Sequence, residues 1–330
     1  MNGLKKNILY IIEGYTGFKR LDEDILNSFS NVRTYNYKSI LHYLDISIFF
    51  DIIWSDIIII WFASKHAIPT LIFNLFLNKP LVIIAGGFDV ASVPSINYGA
   101  MRKGLRKKIG NWILSRATKV ISVSHSNYRE IEKNTNIEKN KIKLIYNAIP
   151  NVKGSNVKKI KQVLTVGEIN KETYLRKGLD RFIDLAKGML DINFYHIGKW
   201  TDNKGNLDDT FFNYVKSISP KNIKYLGYLN EDELYNFFKE SKVYAQLSRH
   251  EAFGVSVVEA ISYNCIPIVW NSFSLPEVVC GNGFIIDNIP SALDKTKLAL
   301  NLDSSHLNKS CLDKFSYAVR KKSFEKLLLK

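Results

Sequence analysis

Short apolar runs alternate with amphipathic stretches along all 330 residues, and this alternation restricts the fold more than any other feature of the chain. Runs such as Ile57-Ile58-Ile59-Ile60-Trp61 and Leu81-Val82-Ile83-Ile84-Ala85 have no polar face. A strand of that kind has to be covered on both sides, which is the condition of a parallel sheet with helices on each face. Strands are expected at 7–12, 32–35, 56–61, 81–85, 119–123 and 142–146. A second series is expected at 162–166, 193–197, 222–226, 243–247, 266–270 and 284–286. Helical patterns fall between them at 67–77, 98–116, 178–189, 208–217, 231–239, 255–263 and 290–300. The expected class is α/β, with two doubly wound Rossmann-like domains. Segment 150–161 contains Pro, Gly, Ser and four lysines without periodicity, as a linker should. The domains are therefore expected at 1–153 and 154–314, with a basic amphipathic helix within 315–330 packing back on the first.

Hydrophobic content of 46% is ample for two cores and argues against disorder. The net charge of +15, read as spread over both halves of the chain, points to anionic partners: nucleotides, nucleic acid or an acidic membrane surface. Cys265, Cys280 and Cys311 are scattered and form no CxxC, so a reducing, cytoplasmic setting is expected. Lys5 and Lys6 precede an apolar run too short for a signal peptide. The apolar stretch 46–62 is interrupted by Asp51 and Asp56, so it reads as a buried helix followed by a buried strand rather than a membrane span.

Two carboxylates carry the strongest chemical signal. Glu251 and Glu259 straddle a strand–loop–helix junction in Ser248-Arg249-His250-Glu251-Ala252-Phe253-Gly254 and the apolar helical run after it. In open α/β sheets ligands bind outside the carboxyl ends of the strands. Acids there suit hydroxyl-rich ligands, because a carboxylate accepts hydrogen bonds from adjacent hydroxyls. Two solvated acids near a helix start explain the pair equally well when it is taken alone. A second junction holds Val163-Leu164-Thr165-Val166-Gly167, then Arg176-Lys177-Gly178 at a helix start. Adjacent cations beside helix N–H groups form an anion site, whereas on a solvated face they carry no message. Phe253 and Gly254 open another helix whose N–H groups suit a diphosphate.

In the first half, Gly14 and Gly17 follow the first strand in a weak GxxG pattern. Asp89 follows another in Gly86-Gly87-Phe88-Asp89, as either a hydroxyl acceptor or a turn cap. Asp22-Glu23-Asp24 matches the bare DxD string of metal-dependent sugar transferases but lies in a polar helix start rather than a sheet-end loop, so no metal is expected. The basic helix pattern over 98–119, with Trp112 and seven Lys or Arg, fits either anionic lipid headgroups or an ordinary surface helix.

Taken together these pieces resemble the GT-B fold glycosyltransferases of family 4, the retaining group with an E-x7-E motif. Glu251 to Glu259 matches that motif. Leu275-Pro276-Glu277-Val278-Val279 followed by Gly281-Asn282-Gly283-Phe284 is similar to its "PEVV…NGF" run, and Arg176-Lys177-Gly178 to its "KG" phosphate site. Val120-Ile121-Ser122-Val123-Ser124 and Tyr146-Asn147-Ala148-Ile149-Pro150 resemble segments before its linker. The resemblance implies two domains facing across a cleft, an acceptor-binding first and a nucleotide-sugar-binding second. It implies transfer of a sugar from a nucleotide-diphosphate donor to a glycan or lipid-linked acceptor, without a metal or cofactor. The setting it implies is polysaccharide or glycolipid synthesis; a subsidiary reading, from the basic charge of the first domain, is that this domain docks on the inner face of the cell membrane to reach a lipid-linked acceptor.

The resemblance also implies residue roles. Glu251 would bind donor-sugar hydroxyls at the reacting carbon, and Arg176 and Lys177 would neutralise the leaving diphosphate. Glu259 would bind the ribose. Phe253 and Gly254 would border the donor, as would Gly14 and Gly17 from the first domain. Main chain at Gly198 and around Tyr228 and Leu229 would hold the base. This sequence departs from the pattern at Glu168, where Arg is usual after the strand-end Gly, and at 86–89, where the usual His is missing and Asp89 is its substitute. The rival readings are a nucleotide-sugar 2-epimerase or hydrolase on the same fold and a nucleic-acid-binding protein. The second lacks any basic–aromatic module.

Overall fold

The computed structural model describes residues 5–150, 157–202, 205–303 and 307–329. The chain forms two compact units, Met1–Asn151 with Lys314–Lys330, and Val152–Asp313. Half of the expected linker, 151–156, lies outside the described residues, and its last two positions begin a strand.

Unit 1 contains strands β1 (Asn7–Ile12), β2 (Asn31–Asn36), β3 (Ile57–Trp61), β4 (Leu81–Ala85), β5 (Lys119–Ser122) and β6 (Ile142–Leu144). Its helices are α1 (Gly17–Asn27), α2 (Ser47–Trp54), α3 (Ile68–Leu77), α4 (Leu105–Ser115) and α5 (His125–Asn134). All strand pairs are parallel, in the order β2-β1-β3-β4-β5-β6. β3 and β4 are buried along their whole length, as their uninterrupted apolar sequences require. Leu9, Ile58, Ile60, Ile83 and Val120 share one face of the sheet and pack with Ile113 and others, and the alternate residues Tyr10, Ile59, Ile84 and Ile121 are buried on the other face.

Unit 2 contains β7 (Ile160–Val166), α6 (Thr173–Arg176), α7 (Leu179–Lys187), β8 (Asn193–Ile197), α8 (Asp209–Ile218), β9 (Ile223–Tyr225) and α9 (Glu231–Glu240). It continues with β10 (Ser241–Gln246), α10 (Val255–Ser262), β11 (Ile266–Trp270), α11 (Leu275–Val279), β12 (Phe284–Ile286) and α12 (Ile289–Asn301). The sheet order is β12-β11-β10-β7-β8-β9, again all parallel. Strand order reverses between β1 and β3 in unit 1 and between β7 and β10 in unit 2. At such switch points the loops leave in opposite directions and open a crevice for a ligand.

The last helix, α13 (Tyr317–Leu328), packs on α1 of unit 1. Its anchor is Arg320, which meets Asp22 through Nε at 2.5 Å and through a second nitrogen at 2.7 Å; both side chains are 1% exposed. The same guanidinium donates to the carbonyls of Ile145 and Tyr146, and Trp61 Nε1 donates to Asp22 Oδ2, which it shares with Arg320, at 3.0 Å. Asp22 is therefore committed to a buried pair inside helix α1, rather than standing at a helix start as the DxD string had read. The returning segment also redistributes charge. Unit 1 holds 26 Lys and Arg against 12 Asp and Glu, a net of +14, whereas unit 2 holds 20 against 19. The charge that looked spread along the sequence is concentrated in one unit.

The expected basic helix over 98–119 shortens to α4, preceded by turns, with Gly110, Ile113 and Leu114 buried and Trp112 packed against the core. It is an ordinary surface helix with its apolar stripe inward.

Removing one member of a buried pair strands the other's charge. Arg320→Met should lower the stability of unit 1 by about 3–5 kcal/mol, and Asp22→Asn in addition should restore part of the loss. Chemical denaturation followed by a unit 1 probe measures both; a loss in Arg320→Met below about 1 kcal/mol would contradict the anchor role.

Candidate functional site

The loops after β7 and β10 meet at the switch point of unit 2, and the strongest sequence signals lie on them. Residues 175–178 follow β7 and form the end of α6 and the entry to α7; residues 247–254 follow β10 and lead into α10. Their approach depends on Gly178, whose φ of +70° lies in the left-handed region. A Cβ there would stand 2.0 Å from the carbonyl oxygen of Leu247, so only glycine lets the two loops touch. Arg249 then joins them. Its N–H donates to the carbonyl of Arg176 at 2.7 Å, and its guanidinium makes two bonds to Asp180, at 2.7 and 2.6 Å, and one to the carbonyl of Leu175.

Within that frame Lys177 Nζ lies 2.7 Å from Glu251 Oε1, with side chains 22% and 11% exposed. A chain of polar side chains holds the carboxylate from below. Tyr244 donates to Gln246 at 2.6 Å, Gln246 to Ser248 at 2.6 Å, and Ser248 to Glu251 Oε1 at 3.1 Å. Ser274 fixes the loop by donating to the carbonyls of Glu251 and Phe253. Burial pushes the Glu251 carboxyl up, but Lys177 and Arg176 more than offset it, and Glu251 is held below its ordinary value. The site therefore presents an ionised carboxylate with two cations beside it. Sequence reasoning found those three residues but missed Tyr244, Gln246 and Ser248. Their period-2 spacing along β10 and its exit places them on one face, which is the signal that would have exposed them.

Gly254 has a φ of +92° and opens α10; its carbonyl accepts from the Val257 N–H at 3.0 Å, so the N–H groups that helix geometry leaves without a main-chain acceptor are those of Val255 and Ser256. Phe253 is buried beside it. Glu259 lies in the second turn of α10. Among the described residues no donor hydrogen-bonds its carboxylate, and burial, with Glu231 adding repulsion, pushes it up to about 7. Gly198 follows β8, and its N–H donates to the carbonyl of Gly227 after β9 at 2.8 Å. Tyr228 is exposed with Lys199 Nζ 4.7 Å from its ring centre, and Leu229 is half-buried beside it. Because the sheet order is β10-β7-β8-β9, the residues after these strands form a row on one edge. Three strand spacings make it about 14 Å long. Glu168, the departure from the family pattern, accepts from Thr201 Oγ1 at 2.7 Å.

The remaining expected residues belong to unit 1. Gly14 has a φ of +67° and donates its N–H to Asn36, and Gly17 begins α1. Lys19, not singled out from sequence, is buried and donates to the carbonyls of Glu13 and Gly14, at 2.7 and 2.9 Å. Burial pushes its ammonium down to about 8. Asp89 requires a correction. Its carboxylate is buried and accepts from the N–H groups of Ala63, Gly86 and Gly87, at 2.9, 3.2 and 3.0 Å. Burial pushes it up to about 6. With its acceptor positions taken by main chain, it pins the loop after β4 and cannot serve as an open hydroxyl acceptor. His250 is likewise buried, its ring centre 4.2 Å from that of Phe273.

An uncharacterised 41.2 kDa protein in the cps region of Klebsiella pneumoniae is 32% identical over 155 residues, 43% of this chain and 40% of that protein. O-antigen chain mannosyltransferase B of Escherichia coli is 31% identical over 85 residues, 26% of this chain and 22% of that enzyme. The chain thus spans less than half the length of these curated relatives. Among solved structures, Anabaena HepE in complex with UDP-glucose superposes over 98% of this chain and 99% of its own, with a TM-score of 0.74 at 14% identity. The shared fold class is that of GT-B glycosyltransferases. Residues 147–312, just over half of the chain, match the model of the glycosyl transferases group 1. The protein belongs to that family.

Proposed function

We propose that the protein is a retaining, metal-independent glycosyltransferase of the family 4, E-x7-E type. In this reading it moves a hexose from a nucleotide-diphosphate donor to a glycan or lipid-linked acceptor. The observation that carries the proposal is the ionised Glu251 held against Lys177 and Arg176 at the switch point of unit 2. UDP-glucose in the Anabaena neighbour and the mannosyltransferase relative support the nucleotide-sugar and glycan parts of the reading.

The donor lies along the carboxyl edge of the second sheet. Its base stands at Gly198, Tyr228 and Leu229, its ribose at Glu259, and its diphosphate at Lys177, Arg176 and the N–H groups after Gly254. The transferred sugar donates hydroxyls to Glu251. As the bond from sugar to diphosphate breaks, positive charge grows on the sugar ring and negative charge on the leaving oxygen. Fixed cations and helix N–H groups stabilise the latter, the carboxylate the former. Lys177 exchanges its contact with Glu251 for the diphosphate, which frees that carboxylate for the sugar. Arg176 beside Lys177 supplies the cation that Glu168 does not.

Thermal-shift measurements against UDP-, GDP-, ADP- and CDP-sugars identify the donor by the rise in Tm. With that donor, Glu251→Gln should lower the transfer rate by roughly 10²–10³ and leave the circular dichroism unchanged. Wild-type activity in the folded variant would end the proposal. Glu259 gives a pH test. Its folded value near 7 lies above the ordinary carboxylate value, so the folded state binds the proton more tightly. Wild type should therefore lose stability relative to Glu259→Gln as pH rises from about 4.5 through 7, then level off. A Tm difference that stays constant between pH 5 and pH 8 would show that Glu259 titrates normally.

A further inference from the structure

Unit 1 carries an apolar face that its own core leaves uncovered. Helix α2 buries Ile48 and Ile52 but leaves Phe50 65% exposed, with Ile53 exposed one turn further on and Leu44 and Ile46 exposed just before the helix. Helix α3 buries Thr70 and Leu71 and leaves Ile72, Leu75 and Phe76 exposed, Phe76 to 81%. The two helices pack together, and their stripes join where the rings of Phe49 and Phe73 approach to 5.4 Å. Single exposed apolar side chains need no explanation, whereas a contiguous set on two adjacent helices marks a contact surface.

The rim is cationic. Lys65 stands before α3, with Nζ 5.8 Å from the Tyr43 ring centre, and lines a groove with Tyr43, Ile68 and Ile72. Lys79 follows α3 and donates to the carbonyl of Ile53 on α2; it shares a second groove with Arg116 and Leu75. The nearby acids are occupied. Asp51 pairs with Arg33 at 2.9 Å, and Asp45 accepts from Tyr35 and from the Ser47 N–H. The whole unit carries a net of +14. A second copy of such a unit would meet this face with like charge, whereas an anionic bilayer offers both an apolar interior and opposite charge.

We propose that the α2–α3 face docks on an anionic lipid surface. Phe50, Ile53, Leu75 and Phe76 enter the boundary between headgroups and acyl chains, and Lys65, Lys79 and Arg116 rest on the headgroups. Among the described residues no helix is long and apolar enough to cross a membrane, so this contact lies in the interface plane. The inference deepens the transferase reading by putting its acceptor at a membrane, and its test reads binding rather than transfer, so the two fail separately.

The experiment is co-sedimentation of the full chain with vesicles of equal parts phosphatidylglycerol and phosphatidylcholine, and with phosphatidylcholine alone, at low and raised salt. Wild type should bind the anionic vesicles, more weakly as salt rises. Phe50→Ser with Phe76→Ser should weaken binding at least about tenfold, since each ring loses its burial in lipid. That variant should keep the donor-induced rise in Tm, which shows that it is folded. Lys65→Gln, Lys79→Gln and Arg116→Gln together should remove the preference for anionic over neutral vesicles. No binding of wild type at low salt, or undiminished binding by the double Phe variant, overturns the proposal. So does a wild-type dimer that the double Phe variant turns into a monomer, because the face then belongs to a second copy.

Discussion

The contact between Lys177 and Glu251 organises the second unit. The residues are 74 positions apart, and a 2.7 Å ion pair joins them only because the loops after β7 and β10 leave a shared switch point and Gly178 lets them touch. A partly buried carboxylate costs free energy unless it is paired and hydrogen-bonded. Here Lys177, Ser248 and the neighbouring Arg176 meet that cost and keep Glu251 ionised. In the proposed function each of these two groups gains a new partner when the donor arrives, Lys177 the diphosphate and Glu251 the sugar. Arg249, which clamps both loops through Asp180 and two main-chain carbonyls, keeps the pair in place without standing between them.

Unit 1 depends on a different buried pair. Arg320 and Asp22 lie 298 residues apart and join the end of the chain to its first helix. The consequence is electrostatic as well as structural, because the returned segment raises the net charge of unit 1 to +14 and leaves unit 2 nearly neutral. A nearly neutral unit whose few site cations are fixed suits selective recognition of one anionic ligand. A strongly basic unit suits a broad anionic surface.

The strands were legible in the sequence because two-sided burial demands runs such as Ile57 to Trp61, and that demand is local. The acids and cations of the site were legible for a related reason, since each sits where a strand gives way to a helix. Other features depend on contacts that no local pattern records. Asp89 read equally well as ligand or cap until the loop folded over it and three N–H groups took its oxygens. The stretch 46–62 read as buried because it is apolar on every side, and periodicity could not reveal that Phe50 and Ile53 face outward. The charge segregation was hidden because Arg320 finds its partner at the opposite end of the chain.

The account rests on the claim that the Lys177–Glu251 pair is the place where a diphosphate arrives. The direct measurement is a crystal structure of the protein with the nucleoside-diphosphate sugar that stabilises it. The account predicts the diphosphate against Lys177, Arg176 and the start of α10, the sugar hydroxyls on Glu251, and the base at Tyr228. A donor bound elsewhere, with Lys177 still resting on Glu251, would contradict it.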